Sequence, residues 1–105
     1  MRVDVKFCGL TRPADARAAA KMGARYLGVI FAGGPRNLEP SRARDVLDGA
    51  EAGEEVERVG VFGRTAPAAI EAAVREARLD IVQLHEDPTV DEIRAVANVS
   101  GARVW

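Results

Sequence analysis

Along residues 3–8 (Val-Asp-Val-Lys-Phe-Cys) apolar and polar side chains alternate strictly, which is the period of a β-strand, and Gly9 ends the run. An Ala-rich stretch follows and predicts a helix over 13–22. Thr11 is its expected cap, Pro13 sets φ in the first turn, Asp15 sits at the positive end of the dipole, and Gly23 stops it. A second strand is expected over 26–31, then the loop Ala32-Gly33-Gly34-Pro35-Arg36-Asn37, then a helix from Pro40 to about Leu47. Residues 49–55 lack periodicity and read as a surface connection. A third strand occupies 57–62. Thr65 is the expected cap of a helix over 67–78, with Ile70, Val74 and Leu79 on its apolar stripe. Residues 80–85 form a fourth strand, Asp87-Pro88 opens a helix through Ala97, and 102–105 begins a fifth strand.

A helix between each pair of strands is the βαβ rhythm of a parallel sheet, so the fold class is α/β. Two architectures share that rhythm. An open doubly wound sheet suits a chain of 105 residues; a closed (β/α)₈ barrel needs at least about 200. The strand faces favour the barrel. Asp4, Lys6 and Cys8 share one side of the first strand, and Gln83 and His85 share one side of the fourth. Polar side chains at the C-terminal ends of strands line a barrel's inner face, whereas a sheet covered on both sides prefers apolar residues on both.

Composition narrows the function. Fifteen basic against sixteen acidic residues leave a net charge of −1, too little positive charge for nucleic acid as a partner. The longest charge-free stretch, 26–35, is far shorter than the ~20 residues of a membrane span. No continuous apolar region marks the N-terminus as a secretory signal, so a cytoplasmic location is expected. Cys8 is the sole cysteine, which excludes an internal disulfide, and nothing around His85 has metal-ligand spacing.

Three candidates for chemistry stand at strand ends. Cys8, with Lys6 ~7 Å away on the same face, has the setting of a general base or nucleophile, since a nearby ammonium favours thiolate. Taken alone, a single cysteine is more often a small buried hydrophobe. His85 ends the fourth strand, and Arg36 lies in a Gly-rich loop where its fork can hold a carboxylate or phosphate. Separately, each also reads as an ordinary structural or solvated residue. Together they fall at the C-terminal edge of a parallel sheet, where α/β proteins bind ligands.

The run Lys6-Phe7-Cys8-Gly9-Leu10-Thr11-Arg12-Pro13 with Asp15-Ala16, then Leu27-Gly28-Val29-Ile30-Phe31 and Pro35-Arg36, Val59-Gly60-Val61-Phe62, and Val82-Gln83-Leu84-His85, closely resembles the phosphoribosylanthranilate isomerases of tryptophan biosynthesis. The resemblance implies a (β/α)₈ barrel of which residues 1–105 form the N-terminal half, four βα units and the start of a fifth strand, with no internal domain boundary. It implies a cofactor-free, metal-free Amadori rearrangement of N-(5-phosphoribosyl)anthranilate to 1-(o-carboxyphenylamino)-1-deoxyribulose 5-phosphate. Cys8 matches the base that takes the C2 proton. Arg36 and His85 match residues holding the anthranilate end, and Gln83 has a supporting role. The family's general acid and phosphate-binding loops belong to later strands, so a half-barrel alone is expected to be inactive and prone to self-association.

Two departures stand out. Glu86 replaces the glycine that usually follows the histidine, placing negative charge beside a site for an anion, and the loop before Arg36 is slightly short. A non-catalytic half-barrel or a flavodoxin-like small-molecule binding module is therefore the alternative. A receiver-type signalling domain would want an acidic pair where Cys8-Gly9 stands.

Overall fold

The computed structural model describes residues 4–53 and 55–105. Val3, the first position of the expected strand, and Glu54 lie outside the described residues. The chain alternates β1 (Lys6–Phe7), α1 (Pro13–Lys21), β2 (Tyr26–Ile30), α2 (Pro40–Asp48), β3 (Glu57–Phe62), α3 (Pro67–Ala77), β4 (Ile81–Leu84), α4 (Val90–Ser100) and β5 (Arg103–Val104). All neighbouring strands are parallel, in the order β1-β2-β3-β4-β5. This order decides between the two architectures. A flavodoxin-like sheet reverses direction at a switch point and carries helices on both faces. Here the order never reverses, so crossovers of one hand stack every helix on one face, and α1, α2, α3 and α4 pack each against the next.

The register sorts the strands into two faces. Leu27, Val29, Phe62 and Val82 point toward the helices and are buried with Ala16, Ala19, Ala43, Ile70, Ala73 and Val96. Alanine on the helix side lets the helices sit close to the sheet. On the other face Lys6 is in register with Tyr26 and Glu57, Val59 with Ile81 and Arg103, and Ile30 with Val61 and Gln83. That face mixes buried aliphatics with polar groups. Glu57, for instance, forms ion pairs with Arg103 and with Arg25, the latter at 3.8 Å.

The sheet is curled. Lys6 hydrogen-bonds to Gln83, although β2 and β3 lie between their strands. The rung of Lys6 passes through Glu57, two residues before Val59, and so meets β4 two residues before Ile81, at position 79. Gln83 is four residues farther along, a stagger of roughly 13 Å at the strand rise per residue. Strands tilted and sheared in this way are the geometry of a barrel wall.

Two helix caps differ from expectation for one reason. Thr11 and Thr65 were the expected caps, but Arg12 and Ala66 occupy the cap positions, as Glu39 does for α2, with no side-chain cap bond. Each precedes a proline at the first helical position. Proline forces the residue before it into extended backbone, which is what a cap position requires whatever its side chain. The fourth helix begins at Val90 rather than at Asp87-Pro88, and Thr89 and Glu92 close a reciprocal capping box. It runs on to Ser100, past Ala97, and ends at Gly101 with φ 70°. Helix α3 ends at Ala77, so Leu79 is buried from the loop rather than from the helix stripe.

Arg58 ties the layers together at the other end of the sheet. Its guanidinium donates to Asp48 at 2.6 Å and to the Ala77 carbonyl at 3.1 Å, while its backbone N–H donates to Asp80. The Arg58 hydrogen bond holds the Asp48 carboxyl below its usual value. No helix among the described residues is long and apolar enough to cross a membrane.

Candidate functional site

The strands deliver their polar residues to one cavity of about 400 Å³ at their C-terminal ends. Cys8, Arg36, Gln83 and His85 line it over a floor of Ile30, Ala32 and Val61. All four candidates from the sequence therefore meet, although they come from three separate βα units. No carboxylate is among the lining residues, so the cavity's one fixed charge is the Arg36 cation. That polarity suits a ligand with an anionic group.

Local backbone geometry sets each position. The paired part of β1 is short and ends at Phe7, so Cys8 is exposed just beyond the strand rather than within it. Gly9 then turns with φ 78°, and the Leu10 N–H returns to the Gly28 carbonyl at 3.0 Å. The loop after β2 folds back on itself. Gly33 and Gly34 take φ of 89° and 84°, the Asn37 side chain accepts from the Gly33 N–H at 2.9 Å, and the Leu38 N–H rejoins the Ile30 carbonyl. The compact turn lays the Arg36 guanidinium on Gly9, where an added Cβ would stand 2.2 Å from Nη1. His85 follows β4, and its N–H bonds the Phe62 carbonyl at 2.9 Å, extending the ladder by one residue.

Gly9 is thus required for its left-handed backbone, and a Cβ there would push the Arg36 guanidinium aside. Gly9→Ala in the intact protein should lower unfolding stability by about 1–2 kcal/mol in urea titration, from the backbone alone, and displace Arg36 as well. An unchanged midpoint would contradict this account.

Two expectations change. The Lys6 ammonium, expected to serve the Cys8 thiol, donates instead to Gln83 Oε1 and lies 5.7 Å from the centre of the Trp105 ring. The alternation of each strand placed Lys6 and Gln83 on inner faces, but only the strand order and stagger bring them together. Glu86, expected beside the anion site, turns to the opposite side of the sheet. Its carboxylate is 4.0 Å from Arg64 and lines a separate pocket of about 260 Å³ between α3 and α4. Among the described residues no group of three or more His, Cys, Asp or Glu is placed to hold a metal ion.

Comparison with known proteins fits this arrangement. Residues 5–103 match the family model described as N-(5'phosphoribosyl)anthranilate (PRA) isomerase. An N-(5'-phosphoribosyl)anthranilate isomerase of Syntrophus aciditrophicus is 42% identical over 92 residues, covering 87% of this chain and 39% of the relative. One of Paracoccus denitrificans is 37% identical over 105 residues, covering 99% of this chain and 48% of the relative. The crystal structure of phosphoribosyl anthranilate isomerase from Thermus thermophilus superposes with a TM-score of 0.85 at 37% identity, over 97% of this chain and 50% of that one. Another, in complex with reduced 1-(o-carboxyphenylamino)-1-deoxyribulose 5-phosphate, superposes with a TM-score of 0.88 at 32% identity, over 98% and 52%. The chain thus spans about half the length of the relatives it matches.

Proposed function

Because this chain belongs to the N-(5'-phosphoribosyl)anthranilate isomerase family, we propose that it forms the N-terminal half of one barrel domain and supplies that barrel's base and aromatic-end binding groups. The reaction is the Amadori rearrangement of N-(5-phosphoribosyl)anthranilate to 1-(o-carboxyphenylamino)-1-deoxyribulose 5-phosphate. The observation that supports it most is the convergence of Cys8, Arg36, Gln83 and His85 on one carboxylate-free cavity.

In this reading an acid from a later strand opens the ribose ring to a Schiff base. The Cys8 thiolate then removes the proton from C2, and the electrons move toward the iminium nitrogen to give an enamine that becomes the ketone. Cys8 is suited to this by exposure and by a short side chain reaching over the cavity. Arg36 offers a planar pair of donors to the anthranilate carboxylate, and His85 faces the same end. Later strands supply the phosphate site. Glu86, which had favoured a non-catalytic protein, is directed away from the cavity and removes that argument.

Assay of the intact protein with phosphoribosylanthranilate, following conversion of substrate to product, tests the proposal; binding without turnover would replace it with the non-catalytic reading. Arg36→Ala should raise the substrate dissociation constant by about 10- to 100-fold, the value of a hydrogen bond to a charged group, and slow the chemical step much less. Pre-steady-state measurement that found unchanged affinity and a collapsed chemical rate would assign Arg36 to the chemistry instead.

A further inference from the structure

We propose that Lys6 is a positioning residue: its ammonium captures Gln83 Oε1 and thereby turns the Gln83 NH₂ group, as a donor, toward the ligand cavity. The inference deepens the isomerase reading and rests on it for the reaction concerned. It assigns Gln83 a polarity, that of a donor selecting an oxygen acceptor on the substrate.

The argument begins with the inventory of donors and acceptors. An ammonium has three donors and no acceptor, so the carboxamide atom facing it must be the oxygen. The nitrogen occupies the other arm of the amide. Gln83 lines the cavity with Cys8, Arg36 and His85, whereas Lys6 stands outside its lining and reaches Gln83 from beneath. A glutamine without such a partner is free to turn over and show a ligand either its oxygen or its nitrogen. With Lys6 in place it shows nitrogen only.

Lys6 is itself held. The stem runs past Gly28, where an added Cβ would stand 3.4 Å from Lys6 Cε and 3.3 Å from Cys8 Cα. The Trp105 ring lies against Nζ and packs edge-on to Tyr26 with centroids 5.0 Å apart at 70°. Lys6, Tyr26 and Trp105 thus form a platform under the site, contributed by β1, β2 and the residue after β5. The carboxamide polarity follows from that platform rather than from anything in the sequence next to Gln83.

The test is a mutant cycle on the intact protein with phosphoribosylanthranilate as substrate. Lys6→Met and Gln83→Ala should each lower kcat/KM by about tenfold, the value of one hydrogen bond, and the double variant should be no worse than the weaker single. Gln83→Glu keeps an acceptor for Lys6 but has no donor for the ligand, so it should retain the melting temperature and still lose the tenfold. A merely structural pair would lose activity only in step with stability. Multiplying losses in the double variant, or wild-type turnover in Gln83→Glu, would overturn the proposal. Failure of the isomerase reading is separately visible as a wild-type protein without turnover. In that event the side-chain amide resonances of ¹⁵N-labelled protein decide: Lys6→Met should shift the Gln83 NH₂ pair, and an unmoved pair would refute the orientation.

Discussion

Cys8→Ser in the intact protein should reduce kcat for phosphoribosylanthranilate by about 10²- to 10⁴-fold, the range attributed to general base catalysis, while leaving the unfolding midpoint where it was. The two halves of that expectation have separate physical grounds. Cys8 is exposed at the rim of the cavity, so exchanging sulfur for oxygen removes almost no packing. Its hydroxyl replacement stays protonated at neutral pH and is a far weaker base than a thiol, which ionises near pH 8.5. Steady-state kinetics beside a urea titration separates them. A variant that kept more than a tenth of the turnover would return Cys8 to an ordinary surface position.

Expressed alone, residues 1–105 should show no turnover above background and should self-associate. In the proposed reaction the general acid and the phosphate site come from later strands, and a base alone cannot open the ribose ring. Association follows from the sheet. Among the described residues strands β1 and β5 are its two edges, each pairing on one side. The concave face between them carries Tyr26, Gln83 and a half-exposed Trp105. Open edges beside an aromatic surface favour pairing between chains. Size-exclusion chromatography with light scattering should find dimers or larger species. A stable monomer with a sharp two-state melt would show that the five strands are sufficient without a partner.

The order of elements was legible because strand and helix periods differ and because glycine and proline mark the joints. What the pattern could not carry was anything set by the relation between elements. The βαβ rhythm is common to open sheets and barrels, and strand order alone separates them. Thr11 and Thr65 are good capping residues, but the prolines two residues on move the cap to the neighbour before each. In the fourth helix the signal is local: Thr89-Val-Asp-Glu92 has the capping-box spacing, just after Asp87-Pro88. At the site, the resemblance and the strand ends together identified the four cavity residues. The direction of Glu86 depends on Arg64, which lies in another loop, and the destination of Lys6 depends on the stagger across three strand pairs. No local stretch of sequence encodes either.

The unreversed strand order also dictates a schedule. Among the described residues β2, β3 and β4 each bond to the strands made just before and just after them, so these partners are available soon after synthesis. At ribosomal speed the 105 residues emerge over on the order of 5–20 s, long compared with the microseconds to milliseconds of local folding events. Each βα unit therefore has time to dock on the wall already laid down. Once Gln83 and His85 have left the ribosome, all four of Cys8, Arg36, Gln83 and His85 are available to meet at their cavity. The hydrogen bond from Lys6 to Gln83, spanning 77 positions of the chain, is the latch that closes that nascent cradle.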